Sequence, residues 1–495
     1  MITDTPLDPV FAGLEPAAVW QHFATLCRIP RPSKQEAALR QHLQAWAVQA
    51  GIRQRVDAAG NLILSKPARP GHEHAPGLIL QAHLDMVCQQ NSGSHHDFNR
   101  DPIRPVRRDG WLIAEDTTLG ADNGIGVALI LAALADPELV HGPLEALLTV
   151  DEEAGMGGAQ GLAPGELQGR LMLNLDTEEW GQFYLGCAGG LDVDIRETLA
   201  ALAPPADHVG QRLQLTGLIG GHSGVDIHLQ RGNAIKLLLE TLQQLQHHYG
   251  LDLRLAEIHG GTARNALARE AFARITLPAA QQPQLAAALA ELENEFRAEL
   301  AGIEAGPSLH CETAACLEII EPAAAQRWLT ALHAAPHGVR RFSPALPGVV
   351  ETSNNLGILR LAPGEAHANF MLRSLRDPAC RRLADELLSL FRLAGIPATV
   401  SGAYPGWTPR PDSPLLALGQ QVYTAQTGQT AAVKVIHAGL ECGILGAKYP
   451  GLDTLSFGPT IHGAHAPGER VDIASVGHCW TLLQALITAL AHTAR

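Results

Sequence analysis

The sequence predicts an α/β protein: a mostly parallel mixed sheet with flanking helices, interrupted by an inserted α+β lid. Three observations carry this expectation. Short apolar runs at 78–82, 144–150 and 171–175 alternate with helical periodicity at 125–135, the pattern that wraps a parallel sheet in helices. From 189 to 402 the order changes to strands and helices of the split-βαβ kind, and after 403 the first pattern resumes. At 495 residues the chain exceeds one compact core, so more than one domain is expected.

Residues 15–28 and 33–50 carry apolar positions at helical spacing, the second stretch opened by Ser33 as a cap with Glu36 three positions on. Past the turn Cys187-Ala188-Gly189-Gly190, strands are predicted at 191–195, 212–218, 252–258 and 271–277, with helices at 234–249 and 284–301. A looser copy follows: a helix at 323–334, strands at 349–361 and 365–375, a helix at 378–394 and a strand at 398–402. These read as two linked ferredoxin-like split-βαβ units. Beyond Tyr404-Pro405-Gly406, a helix at 413–427 and strands at 433–436 and 452–457 return to the α/β character. The predicted organisation is a discontinuous main domain, 1–188 and 403–495, carrying a lid domain at 189–402.

Composition narrows the function classes. With 46% hydrophobic and 17% charged residues the chain is of the ordinary soluble globular kind. A formal charge of −14 argues against a nucleic-acid surface or an anionic membrane as partner. The start Met1-Ile2-Thr3-Asp4-Thr5-Pro6 lacks the basic and apolar regions of a secretory signal, and the apolar run at 126–135 is short of the ~18 residues that span a bilayer. A cytoplasmic location without a membrane span is the expectation. Eight cysteines are scattered with no Cys-x-x-Cys pair, as in a reducing compartment, so a metal site here is expected to use histidine and carboxylates.

The chemistry concentrates at strand ends. The strand at 144–150 runs into Asp151-Glu152-Glu153-Ala154-Gly155-Met156-Gly157-Gly158, two adjacent carboxylates before a glycine turn. Neighbouring side chains there point to different sides, so one can bind a metal while the other faces a reacting water. His83 and Asp85 follow the strand at 78–82 and share one side of the extended chain. Asp122 lies in Thr118-Leu119-Gly120-Ala121-Asp122-Asn123-Gly124, Asp176 ends the strand at 171–175, and His465 sits in a loop beyond Phe457-Gly458-Pro459. Singly, each has a plain structural alternative: a solvated turn for the glutamates, a strand-end histidine, a helix cap, a turn aspartate, a loop histidine. Together, four of these elements lie beyond the carboxyl ends of predicted strands, where open α/β sheets place their sites.

The segments Gln81-Ala82-His83-Leu84-Asp85-Met86-Val87, Thr118-Leu119-Gly120-Ala121-Asp122-Asn123-Gly124, Thr149-Val150-Asp151-Glu152-Glu153 and Asn174-Leu175-Asp176 resemble those of the co-catalytic di-zinc peptidases that include aminoacylases and dipeptidases. Ile29-Pro30-Arg31-Pro32-Ser33, Gly186-Cys187-Ala188-Gly189-Gly190 and His437-Ala438-Gly439-Leu440-Glu441-Cys442-Gly443 extend the resemblance over nearly the whole chain. It implies two divalent metal ions per chain, zinc with manganese or cobalt as alternatives. Asp122 would bridge them, with His83 and Asp176 completing one site and Glu153 and His465 the other. Glu152 would be the general base that deprotonates a metal-bridging water for attack on the peptide carbonyl, and Asp85 would orient His83. His462 competes for the last ligand position, but His465-Ala466-Pro467-Gly468-Glu469 is similar to the family's His-Ser-Pro-x-Glu, with Ala466 the one departure. In the lid segment the resemblance gives His222, in Gly220-Gly221-His222-Ser223-Gly224, to the oxyanion. It gives Asn265 and Arg373 to the substrate carbonyl and terminal carboxylate, with Arg376 a rival to Arg373.

The implied activity is hydrolysis of Xaa-His and other unblocked dipeptides. An N-acyl-amino-acid amidohydrolase using the same metals is the alternative, and a catalytically silent metal- or peptide-binding protein a second one. Small dipeptides are then the partners, and a doubled lid is compatible with a homodimer.

Overall fold

The computed structural model describes residues 9–304, 306–344 and 346–493. In chain order its principal elements are α1 (Ala17–Arg28), α2 (Ala37–Gln49), β1 (Arg53–Val56), β2 (Leu62–Lys66), β3 (Leu78–His83), α3 (Ala121–Ala135), β4 (Leu144–Thr149), β5 (Leu171–Asn174) and β6 (Gln182–Cys187). There follow β7 (Gly189–Glu197), β8 (His208–Thr216), α4 (Ala234–His247), β9 (Arg254–Gly260), β10 (Ala271–Pro278), α5 (Gln282–Glu299), β11 (Ser308–Thr313), α6 (Pro322–Ala334), β12 (Val350–Ala362), β13 (Glu365–Ser374), α7 (Asp377–Leu393) and β14 (Ala398–Tyr404). The chain closes with α8 (Pro414–Thr427), β15 (Ala432–Ile436), α9 (Glu441–Lys448), β16 (Asp453–Ser456) and α10 (Ile473–Ala491). It divides into two compact units: Met1–Gly186 with Pro409–Val435 and Glu441–Arg495, and Cys187–Thr408 with Ile436–Leu440.

The first unit is built on an eight-stranded sheet of order β1-β2-β4-β3-β5-β16-β6-β15. Its centre, β4, β3, β5 and β16, is parallel, while β1, β2 and β6 join antiparallel. β3 is buried along its whole length, as Leu78-Ile79-Leu80-Gln81-Ala82-His83 requires of a strand covered on both faces. α3 is apolar all round and buried from Asn123 to Leu134, the signature of a helix inside the core rather than on its surface. Trp20 and Phe23 of α1 are fully buried and meet edge to face at 6.2 Å.

Two expectations change here. Ser33 does not cap α2: the helix begins at Ala37, and the Ser33 hydroxyl donates instead to Asp85 Oδ2 at 2.7 Å. A buried carboxylate needs donors more than an exposed helix end does. The apolar run at 126–135 lies in α3, and a longer apolar helix, α10, was not among the predicted elements. α10 is long and apolar enough to cross a bilayer by length and composition, but Val476, Cys479, Leu483 and Leu486 on it are buried in this unit's core.

The second unit holds a sheet of order β11-β8-β10-β9-β12-β13-β7-β14, with Gly338–Phe342 pairing β12 beside this path. The succession β8-α4-β9-β10-α5-β11 pairs in the order fourth, first, third, second, the ferredoxin-like arrangement. The strands β7, β12, β13 and β14 repeat that order, and β9 against β12 joins the two into one sheet. The copies are therefore nested. β7 opens the second copy, and the entire first copy is inserted between β7 and α6. Periodicity grouped residues 191–195 with the strands that follow them in sequence. Strand pairing, which a single strand's pattern does not encode, puts them against β13 and β14. Amphipathic α4 buries Leu238, Leu239, Leu242 and Leu245, and α7 buries Leu383, Leu387 and Phe391.

Candidate active site

The carboxyl ends of β3, β4, β5 and β16 lie side by side in the first unit, and the loops that leave them carry most of the candidate residues. β3 ends on His83. After β4, Asp151 adopts a left-handed φ of 55°, so the chain turns at once and presents Glu152 and Glu153. Asp176 follows β5, Asp122 stands in the first turn of α3, and His465 lies in the loop beyond β16 with φ 65°.

These side chains converge. His83 Nε2 lies 3.1 Å from Asp122 Oδ1 and 3.4 Å from Asp176 Oδ1. His465 Nε2 lies 3.2 Å from the other Asp122 oxygen and 3.1 Å from Glu153 Oε2. One carboxylate thus faces two imidazoles, one on each oxygen. Three groups of potential ligand atoms fall within 4.8 Å of one another: His83 with Asp122 and Asp176, Asp122 with Glu153 and His465, and His83 with Glu152 and Glu153. Among the described residues, no group of this kind includes His462, whose ring packs on Trp111 at 4.9 Å.

The electrostatics fit cation binding. Against burial, which disfavours its charge, His83 is raised well above the usual imidazole value by Asp176 and by its hydrogen bonds to Asp122, Asp176 and Asp85. Hydrogen bonds to Asp122 and Glu153 raise His465 to about 11. Burial pushes Asp176 up to about 6, and pushes Glu152 well above the carboxylate range against the pull of His83. Glu153 Oε1 is buried with no hydrogen-bond partner, as a metal ligand's free oxygen would be. Two imidazoles with carboxylates and no thiolate suit zinc, manganese or cobalt alike.

Asp85 is fully buried and does more than face His83. Its Oδ1 and Oδ2 accept the backbone N–H groups of Glu152 and Glu153, each at 3.0 Å. The nearest oxygen to His83 Nδ1 is the Asp85 carbonyl at 3.1 Å, with the carboxylate Oδ1 at 3.4 Å. One residue thereby sets the imidazole and the turn that carries both glutamates.

His222, Asn265 and Arg373 belong to the second unit. His222 sits in a two-residue strand against Ala266 and Leu267, and its Nδ1 accepts the N–H groups of Gly224 at 3.2 Å and Val225 at 3.0 Å. The neutral ring therefore carries its hydrogen on Nε2. Burial, then the Arg373 charge, lower this imidazole to about 4, which keeps it neutral near pH 7. Arg373 is buried, bonded through Nη1 to the Tyr404 hydroxyl at 3.0 Å, and places Nη2 3.4 Å from His222 Nε2. With the hydrogen on Nε2 that approach brings two donors together, an arrangement that calls for an acceptor between them. Arg376 is exposed and stands at the N-cap position of α7 without a side-chain capping bond. Asn265 is exposed, and its carbonyl holds Ser223 N at 2.8 Å.

Sequence reasoning assigned no role to Arg31, Glu441 and Glu469, buried in the first unit, or to Tyr404 and His437, half-buried and buried in the second. Four of them stand inside quoted motifs, and charged or polar residues in such segments were the available signal.

A model of peptidase family M20/M25/M40 matches residues 79–489. The chain is 44% identical over 475 residues to the cytosol non-specific dipeptidase of Escherichia coli strain K12, covering 96% of this chain and 98% of that one. The crystal structure of the aminoacylhistidine dipeptidase from Vibrio alginolyticus superposes with a TM-score of 0.87 at 44% identity, covering 97% and 98% of the two chains. A tripeptidase from Staphylococcus aureus shares the fold, with a TM-score of 0.57 at 15% identity and 97% of this chain covered.

Proposed function

The chain belongs to peptidase family M20/M25/M40 and is a peptide-bond hydrolase, and we propose that it is a cytosolic dipeptidase with two divalent cations per chain, acting on Xaa-His and other unblocked dipeptides. The observation that carries the two-cation reading is Asp122, whose two carboxylate oxygens each face one imidazole Nε2. His83 and Asp176 would complete one metal site, Glu153 and His465 the other, with zinc the first choice. Bound there, the two cations would polarise the scissile carbonyl and lower the pKa of the attacking water.

Glu152 takes the proton of the attacking water and returns it to the leaving amine. Glu152 stands with His83 and Glu153 in one cluster of potential ligand atoms but outside the two proposed metal sites, which leaves its lone pairs free for that transfer. Glu153 would hold a cation instead, which would tie up the lone pairs a base needs. Asp85 fixes the N–H groups of both glutamates, so each keeps its own task. His222, with its hydrogen on Nε2, donates to the oxyanion, and the Arg373 guanidinium receives the terminal carboxylate. The facing donors of these two residues support the pair, and the exposure of Arg376 favours Arg373 over it. Asn265 is assigned to the substrate carbonyl.

Incubation with Ala-His and with N-acetyl-amino acids tests the substrate class. Free amino acid is expected from the dipeptide and none from the acetylated compounds, and the reverse pattern would make the protein an N-acyl-amino-acid amidohydrolase.

A further inference from the structure

Among the charged residues outside the proposed ligand set that are almost wholly buried in the first unit, two grip the loop before Asp122. Glu469 is 1% exposed and Arg31 is 2% exposed. Burying an unpaired charge is costly, so what each one faces carries information. Glu469 Oε2 accepts the backbone N–H groups of Leu119 and Gly120 at 2.7 and 2.9 Å, and Oε1 accepts those of Ala121 and Asp122 at 2.8 and 3.2 Å. A single side chain thus fixes four successive peptides ending on the residue that faces both imidazoles. Four positions earlier in its own loop stands His465, held at a left-handed φ of 65°.

Arg31 works from the other side. Its Nη1 donates to the carbonyls of Leu84 and Asp85 at 2.9 and 3.0 Å, directly after His83, while Nη2 donates to the Gly120 carbonyl. Gly120 has φ 69°, and a Cβ there would stand 2.4 Å from Arg31 Nη2 and 2.8 Å from Met86 Sδ. The loop before Asp122 is therefore gripped by its N–H groups from Glu469 and by a carbonyl from Arg31.

We propose that Arg31 and Glu469 are positioning residues for the metal centre, a two-part clasp that fixes the spacing of the three loops carrying His83, Asp122 and His465. Arg31 ties the His83 loop to the Asp122 loop, and Glu469 ties the Asp122 loop to the His465 loop. Neither belongs to the groups of potential ligand atoms. The inference rests on the two-cation reading above, because the clasp has a purpose only if the distance between those loops sets a binding geometry.

A carboxylate that merely starts a helix would give the same hydrogen bonds, and the first unit supplies that control. Asp453 is 8% exposed and accepts the Ser413 hydroxyl and Leu415 N–H at 2.7 and 3.1 Å where α8 begins, on a strand end that carries no proposed ligand. Zinc affinity by competition with a chromophoric chelator, and the melting temperature of the metal-free chain, are measured for wild type, Glu469→Ala, Glu469→Gln, Arg31→Met and Asp453→Ala. Removing the groups that orient ligands costs about 10- to 100-fold in metal affinity. Glu469→Ala and Arg31→Met are expected to weaken zinc by that factor. Glu469→Gln, which keeps the volume and one acceptor oxygen, is expected to fall between and to regain turnover in excess zinc. Asp453→Ala is expected to lower the melting temperature and leave zinc affinity within about twofold.

If Glu469→Ala does not fold, Glu469→Gln decides. Zinc affinity in the folded Glu469 variants no weaker than in Asp453→Ala would overturn the clasp. Wild type binding fewer than two zinc ions would instead contradict the two-cation reading, whatever the variants do.

Discussion

Glu152 and Glu153 are consecutive residues at the end of one strand, and the proposed mechanism requires them to do different things. Asp85 holds both peptide N–H groups and so fixes the turn from which the two side chains leave. Glu152→Ala is expected to keep its metal and lose turnover by about 10²- to 10⁴-fold, the usual contribution of a general base. Glu153→Ala is expected to lose metal as well. Metal analysis beside dipeptide hydrolysis checks the split, and equal metal content in both variants would overturn the assignment. Asp85→Asn is expected to damage both functions at once, since an amide nitrogen would face one of the two N–H groups. At this scale the ligand candidates were legible because histidine and carboxylates recur at strand ends. Arg31 and Glu469 were less so, since an isolated charge carries no sign of being buried.

α3 shows how an element serves the site. Glycine inside a helix ordinarily costs roughly 0.5–1 kcal/mol relative to alanine, so Gly126→Ala should stabilise an isolated helix. Here a Cβ at Gly126 would meet Asn123 Oδ1 at 2.3 Å and the Leu175 carbonyl at 2.4 Å, where the helix packs against the strand end that precedes Asp176. Gly126→Ala is therefore expected to lower the melting temperature and weaken metal binding. A higher melting temperature in calorimetry would contradict this close packing. The existence and type of most long elements were readable from periodicity, α10 excepted. The polar edge strand β1 was not, because Arg53-Gln54-Arg55-Val56 has no buried alternation to show. The nesting of the two ferredoxin-like copies was also hidden, since it lies in which strands pair and not in what any strand contains.

The molecule as a whole depends on buried groups kept in one protonation state. His437, nearly buried and bonded through Nε2 to the Ser353 hydroxyl at 2.8 Å, is lowered to about 3 by burial and then by the Arg373 charge. The unfolded chain takes up that proton near pH 6.5 and the folded chain only near 3, so this contribution is complete above 6.5 and is lost as pH falls toward 3. The stability margin of wild type over His437→Gln is expected to be constant above pH 7 and to shrink below 6.5, with a limiting slope of about 1.4 kcal/mol per pH unit. Denaturant unfolding at several pH values reads that margin. The central claim, that two cations on these ligands drive dipeptide hydrolysis, is tested most directly by chelation and reconstitution with elemental analysis. Two metal ions per chain should leave together with activity on Ala-His, and zinc, manganese or cobalt should restore both. Undiminished hydrolysis by metal-free protein, or full activity with no more than trace metal bound, would contradict it.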